Sequence, residues 1–332
     1  MNHRFSFAAS LSLGRIACLD IGLSVLMGLL APNCTAADAD QNDAPPGSVH
    51  IGIAPGTWRG VNRNDASAAI TAWARTILRQ RGIVANVETT LFETPEAMSQ
   101  ALKNGQIDAA SMLTGQFLDL AAELQPEEVF LSTKNHGFTE QYELLVQQAC
   151  GITNVTGLAG RRLLLQASAR TSLAPQWFDT LLARQSLGSG EKMLYDLIKL
   201  ESPSKAVLQV FFHQADACLV TSNAFALACE LNPQLRKELR VLAVSPEVVP
   251  SLFFFRCGYA STVREELEPA ILELDHSPAG LQLLTVFQCD GMVKRPSACL
   301  AGTRQLLAES ERASARMPAV TETDALESPS KK

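Results

Sequence analysis

Ser168, Arg170, Thr171 and Ser172 place three hydroxyls and a guanidinium within five consecutive residues. That grouping can hold an oxyanion. Hydroxyls donate single hydrogen bonds, and a guanidinium offers a planar fork matched to carboxylate or phosphoryl oxygens. The segment lies between a strand pattern at residues 161–165 and a helix pattern at 173–184. The first turn of a helix leaves N–H groups unpaired and carries partial positive charge, which adds to the attraction for anions. A cap accounts for one hydroxyl at a helix start. Three hydroxyls and an arginine exceed that need, so the loop is the first candidate for ligand contact.

Ligands in open α/β sheets sit beyond the carboxyl ends of the strands. Thr57 and Trp58 follow the first strand pattern, and Thr114 and Gln116 follow another, so they hold comparable places. Tyr142 opens an apolar segment suited to crossing between lobes. Asp216 heads a strand and could accept hydrogen bonds from a protonated oxyanion or an amine; its plainer role is a turn residue. Lys205 lies in the first turn of a helix, where it opposes the dipole, so it points to a ligand or to a carboxylate partner.

The elements that must position these groups occur twice. Pro95 opens PEAMSQALKNGQIDAASM and Pro203 opens PSKAVLQVFFHQADACLV. Each proline stands at the same distance from an aspartate, Asp108 or Asp216, with a glutamine two residues before it and an alanine after it. Both stretches read as a short helix, a turn and an apolar strand. A duplicated helix–strand unit predicts two similar α/β lobes facing a cleft, each a mostly parallel sheet flanked by helices. Strand patterns at residues 49–54, 83–91, 129–131, 161–165, 240–244 and 251–256 alternate with helix patterns at 66–81, 116–124, 173–184, 224–231, 264–274 and 279–287.

With 332 residues, of which 47% are apolar, the chain can fill two cores. A net charge of −6 without a basic block argues against nucleic-acid binding. Aromatic content of 6% disfavours a ring-lined carbohydrate cleft. GxSxG, HExxH, Walker and GxGxxG patterns are missing, and no Cys/His group has zinc spacing, so neither an enzyme nor a cofactor is expected.

Residues 1–36 read as an export signal. Arg4 and Arg15 precede an apolar run at 21–31, and small residues at Thr35, Ala36 and Ala37 offer a cleavage site. Lipid attachment at Cys34 is a poorer match, because Pro32 and Asn33 precede it. Cleavage after Ala36 removes Arg4, Arg15 and Asp20 and takes the net charge from −6 to −7. Residues 37–47 read as a flexible leader and 313–332 as a disordered polar tail. The exported chain keeps Cys150, Cys218, Cys229, Cys257, Cys289 and Cys299, an even number that suggests disulfides in an oxidising compartment. Cys289 with Cys299 and Cys218 with Cys229 are candidate pairs; the alternative is that several are small buried side chains.

The chain resembles the phosphate/phosphite/phosphonate-binding proteins of bacterial ABC importers. The likeness runs from about Val49 to Glu309 and rests on three segments. These are the stretch from Ala101 to Asp108, the Ala215-Asp216-Ala217 triplet after AVLQV, and the return run RVLAVSPEVVPSLFFFR. The family's hydroxyl-rich signature at a lobe-two helix falls on Ser168, Thr171 and Ser172, with Leu173 in place of a glycine and Arg170 as an unexpected addition. The family's acidic ligand falls on Asp216, and Lys205 lies near a position that is often acidic. The resemblance implies a type II periplasmic binding protein fold, with residues 48–142 and 256–312 as lobe one, 143–255 as lobe two, and Tyr142–Gln147 and residues 251–256 as two crossing strands. It implies a monomer in the periplasm that captures a small phosphonate- or phosphate-like anion by hinge closure and docks on an inner-membrane permease. A sensing or accessory subunit for a membrane kinase or oxidase, with a different small anion, is the alternative.

Overall fold

The computed structural model describes residues 47–58 and 62–316. The export signal, nearly all of the leader and the C-terminal tail beyond residue 316 lie outside the described residues. The chain begins with β1 (Gly47–Ile53), α1 (Arg63–Gln80), β2 (Ala85–Leu91), α2 (Pro95–Lys103), β3 (Ala109–Leu113), α3 (Thr114–Leu118) and β4 (Glu128–Thr133). A second set follows: β5 (Tyr142–Gln147), β6 (Arg162–Gln166), α4 (Ala174–Ala183), α5 (Gly190–Met193), β7 (Asp196–Leu200), α6 (Pro203–Phe211) and β8 (Ala217–Thr221). It continues with α7 (Ser222–Leu231), α8 (Gln234–Glu238) and β9 (Leu239–Val244). The return comprises β10 (Ser251–Phe255), α9 (Thr262–Leu272), α10 (Pro278–Val286), β11 (Gly291–Pro296) and α11 (Ala301–Arg316).

These strands make two sheets, ordered β11-β4-β10-β3-β1-β2 and β7-β6-β8-β5-β9. In the first, β1 runs parallel to β2 and β3, while β10 is antiparallel to β3 and β4. In the second, β6 runs parallel to β7 and β8, while β5 is antiparallel to β8 and β9. Each sheet is thus mostly parallel with one inserted antiparallel strand, and β11 adds an antiparallel edge to the first.

Side chains alternate across a strand, so each sheet feeds two cores. One face of the first sheet carries Ile51, Phe130 and Phe255 against Trp73 and Ile77 of α1, Leu267 of α9 and Leu284 of α10. The other carries Ala54, Met112, Leu131 and Phe254 against Met98 and Leu102 of α2 and Phe117 of α3. In the second sheet, Leu144, Leu163 and Leu165 meet Trp177 and Phe178 of α4. Leu145, Leu164 and Val220 meet Val207 and Val210 of α6 and Phe225 of α7. Burial on both faces explains the unbroken apolar runs of β5, β6 and β8.

The internal repeat is reproduced bond for bond. α2 and α6 both carry proline in the first turn and a hydroxyl cap, Thr94 to the Ala97 N–H and Ser202 to the Lys205 N–H. Both end in a residue of left-handed conformation, Gly105 at φ 68° and His213 at φ 58°. The next N–H then reaches back, from Gln106 to the Ala101 carbonyl at 2.9 Å and from Gln214 to the Gln209 carbonyl at 2.8 Å. The aspartate that follows ties the new strand to its parallel neighbour. The Asp108 N–H donates to the His50 carbonyl at 2.8 Å, and the Asp216 N–H to the Arg162 carbonyl at 3.2 Å. Each carboxylate accepts the N–H of that same neighbour, at 3.0 Å from His50 and 2.9 Å from Arg162.

The chain passes between the sheets twice, at 134–141 and at 245–250. These passages pair with each other. Glu140 and Val248 exchange backbone hydrogen bonds of 2.8 and 2.9 Å, and the Ser245 N–H donates to the Tyr142 carbonyl at 2.9 Å. α11 then lies across both halves, packed on α4 of one and α3 of the other.

All six cysteines described are free thiols, contrary to the expected disulfides. The segment between Cys289 and Cys299, expected as a loop, is the strand β11. Six extended residues separate their ends by roughly 20 Å, far beyond the ~4.4–6.8 Å between α-carbons that a disulfide allows. Cys218 and Cys229 share one apolar cluster and serve there as small buried side chains.

Candidate functional site

The gap between the lobes is bordered by segments that follow β1, β3, β4 and β6, the ends at which parallel sheets present ligands. In the second lobe, the segment after β6 forms a tight 3-10 turn, Ala169–Thr171, capped by Ser168. The Thr171 hydroxyl accepts the Ser168 N–H at 3.0 Å and donates to the Gln166 carbonyl at 2.6 Å. Thr171 is 3% exposed, so its hydroxyl holds the turn and faces the loop interior. The Gln166 side chain accepts the Thr221 N–H at 3.2 Å and fixes the loop to the end of β8.

Arg170 and Ser172 face the join. The Arg170 guanidinium bonds the Glu140 carboxylate on the crossing segment, and also donates to the Gln288 carbonyl of the first lobe at 3.2 Å. The Arg170 carbonyl accepts the Tyr142 hydroxyl at 2.9 Å. Tyr142 is fully buried, and burial pushes its phenol well above the ordinary range. Glu140 is 3% exposed; burial raises its carboxyl above the usual range, while Arg170 pulls in the opposite direction. Gln288 adopts φ 53°, an uncommon conformation for a side-chain-bearing residue. Ser172 Oγ donates to the Pro250 carbonyl at 3.2 Å, and the Thr114 N–H donates to the same carbonyl at 3.0 Å. One carbonyl in the second crossing passage therefore joins a residue from each lobe.

In the first lobe, Thr57 is buried and its hydroxyl donates to the Ala54 carbonyl at 2.7 Å. Trp58 is half-buried, with the Arg63 guanidinium 5.3 Å from its ring centre. Gln116 accepts the Leu113 N–H at 3.1 Å and donates to the Pro55 carbonyl at 2.9 Å, which fastens the segment after β1 to the start of α3. Thr114 is fully buried, and its hydroxyl has no partner among the described residues.

Two expected site residues lie elsewhere. Asp216 precedes β8, which places it at the amino end of a parallel sheet, opposite the loop after β6. Its carboxylate accepts the Arg162 N–H at 2.9 Å and pairs with Arg161 at 3.3 Å, a structural use of the acidic group. Lys205 is exposed in the first turn of α6, and its backbone N–H donates to the Ser202 hydroxyl at 3.3 Å.

Behind the gap, a chamber of ≈ 160 Å³ opens under α1 and α10 on one face of the first sheet, and Ala169 and Arg170 of the second lobe close its near side. Its walls are Ile51, Ile70, Trp73, Phe130, Leu284 and Phe287. Ser132 and Ser251 line it along the strand ends that face the second lobe, and Ser111 lines it at mid-strand. These serines, with Glu140 and Gln288, were not singled out by the sequence. The usable signal was alternation: Ser132 stands two residues after Phe130 and Ser251 two before Phe253, which sets them on the same face. Among the described residues, no cluster of three or more His, Cys, Asp or Glu side chains could hold a metal ion.

Residues 62–296 match a family described as ABC transporter, phosphonate, periplasmic substrate-binding protein. A Xanthomonas citri protein bound to ATP superposes with a TM-score of 0.55 at 17% identity, over 82% of this chain and 99% of that one. A binding-protein component of an ABC phosphonate transporter from Pseudomonas aeruginosa gives 0.53 at 12% identity, over 81% and 88%. A Prochlorococcus marinus protein in complex with methylphosphonate gives 0.51 at 15% identity, over 80% and 99%. At such identities the likeness is one of fold. A search of curated protein sequences finds no match.

Proposed function

The chain belongs to the family of periplasmic substrate-binding proteins of phosphonate ABC transporters, and we propose that it captures a small phosphonate-like oxyanion between its lobes and delivers it to an inner-membrane permease. The observation that carries this reading is the join. Two crossing passages pair through Glu140 and Val248, and Arg170 of one lobe reaches Gln288 of the other. A two-passage hinge with separate contacts across the gap suits closure around a solute. Closure excludes water and strengthens each hydrogen bond to the anion.

In this reading the anion lies beside the 166–172 loop and the start of α3, where Ser168, Arg170 and Ser172 supply donors and the buried Thr114 backs them. Thr57 and Gln116 hold the facing loop, Trp58 flanks it, and Tyr142 fixes Arg170 from beneath. Thr171 supports the turn. Cleavage near Ala36 releases the chain into the periplasm, where it acts as a monomer and turns over no substrate. Family membership favours transport over the sensing or accessory role.

The test pairs a thermal-shift screen of phosphate, phosphite, methylphosphonate, sulfonates and small carboxylates with small-angle scattering. An anion that raises the melting temperature should also shrink the radius of gyration. Stabilisation by none of these anions, or stabilisation with no compaction, would count against hinge capture.

A further inference from the structure

A site built for a bare oxyanion needs polar walls, whereas the chamber behind the gap is largely apolar. Four large side chains that pack against the first core, Ile70, Phe253, Phe287 and Met292, stay partly accessible because they border this space. Trp73 borders it too: it is 4% exposed, and its indole N–H has no partner among the described residues. A buried unpaired donor is uncommon in a folded chain and marks a place where a further polar group fits. Ser132 and Ser251 offer hydroxyls along the edge nearest the second lobe, and Ser111 offers one at mid-sheet. The space is thus apolar at its base, with hydroxyls toward the gap.

We propose that this chamber is the subsite for an apolar substituent of the solute, so that the protein prefers an organic anion bearing one aryl ring or a short branched alkyl group. The proposal rests on the oxyanion-capture reading above and names the substrate class for it. Volume supports the size: an apolar cavity of about 150 Å³ accommodates a benzene ring, and this chamber measures ≈ 160 Å³. The anionic head then lies by the serine edge and the 168–172 loop, and the ring lies against Ile51, Ile70 and Leu284.

Titration calorimetry on the whole exported protein would compare methylphosphonate with phenylphosphonate. Phenylphosphonate should bind at least about tenfold more tightly, since each buried carbon adds a several-fold gain. Ile70→Trp fills the chamber and should narrow that ratio to under about threefold. Benzene alone should raise the melting temperature of the wild-type protein and leave that of the variant unmoved; this arm reads the chamber without the anion. Equal affinity for the two phosphonates overturns the subsite and leaves capture standing. Failure of both phosphonates to bind, with benzene still stabilising, sinks the oxyanion reading and keeps an apolar subsite. No effect of benzene on the wild type overturns the subsite.

Discussion

Asp108 and Asp216 occupy one position in two copies of the same unit. Each heads a strand, donates its N–H to the parallel neighbour and accepts that neighbour's N–H on its carboxylate, His50 for one and Arg162 for the other. Each also meets an arginine, Arg256 at 3.4 Å and Arg161 at 3.3 Å. A carboxylate so engaged is a register pin for adjacent strands, at the amino ends of β3 and β8. Asp216→Ala should therefore lower stability by about 1–3 kcal/mol and leave solute affinity within about twofold of wild type. Denaturant melts and calorimetry on the same sample check both halves; lost affinity with unchanged stability would restore the ligand role.

His213 holds the left-handed position that Gly105 holds in the other copy. A side chain there costs roughly 1–2 kcal/mol of backbone strain relative to glycine, offset in part by its 3.4 Å contact with Gln147. His213→Gly should stabilise the protein by about 1 kcal/mol, and Gly105→Ala should destabilise it by a similar amount. Urea unfolding midpoints measure both, and a loss of stability in His213→Gly would show that the Gln147 contact dominates.

Arg170 links the hinge to both lobes, and its partner Glu140 is buried. Removing one member of such a pair leaves an uncompensated charge, at a cost of about 3–5 kcal/mol when both are fully enclosed. Arg170 keeps 23% of its side-chain exposure, so Arg170→Ala belongs at or below the low end. The variant should also adopt a larger radius of gyration without solute, because the bond to the Gln288 carbonyl is gone. Unchanged scattering would show that α11 and Pro250 hold the lobes without it.

Burial raises the Glu140 carboxyl above the range it has in an unfolded chain. A raised acid binds its proton more tightly when folded, so its contribution is full below the ordinary carboxylate range and is lost as pH rises through the folded value. Glu140→Gln removes that dependence while keeping an oxygen for Arg170. Stability profiles from mildly acidic to neutral pH should converge on the acid side, with the wild type falling more steeply than the variant. Parallel profiles would place Glu140 at an ordinary carboxyl value.

Much of the frame was legible in the chain. The proline-to-aspartate spacing predicted the repeated unit, because proline, a hydroxyl cap and a left-handed turn are local requirements. The strand at Tyr142–Gln147 and the apolar return at 251–255 followed from pattern alone, but each lies wholly within one sheet and the crossings are the passages at 134–141 and 245–250. The site was harder. Whether the Thr171 hydroxyl faces a solute or the Gln166 carbonyl depends on one rotamer in one turn. The engagement of Arg170 required Glu140 and Gln288, which are distant in sequence. Asp216 was read correctly as the head of a strand, but that is the amino end of the sheet, opposite the loop after β6, so the ligand role that the resemblance implied for it does not fit its place. The chamber is a by-product of packing among three helices and a sheet, and spacing does not encode it.

α11 is fastened unevenly. Thr303 in its first turn bonds the Val249 N–H at 2.8 Å, Leu306 is sunk in the core of the second lobe, and Glu309 meets Arg184 at 2.5 Å. Its contact with the other half is lighter, through α3, where Leu307 borders Gly115. A rod bolted to one wing and resting on the other acts as a doorstop: it travels with the first and limits how far the second can swing away. The pivot then runs close to Val249 and Thr303. Opening becomes a rocking of bounded amplitude, and trimming the rod would widen the angle without touching a single residue that meets the cargo.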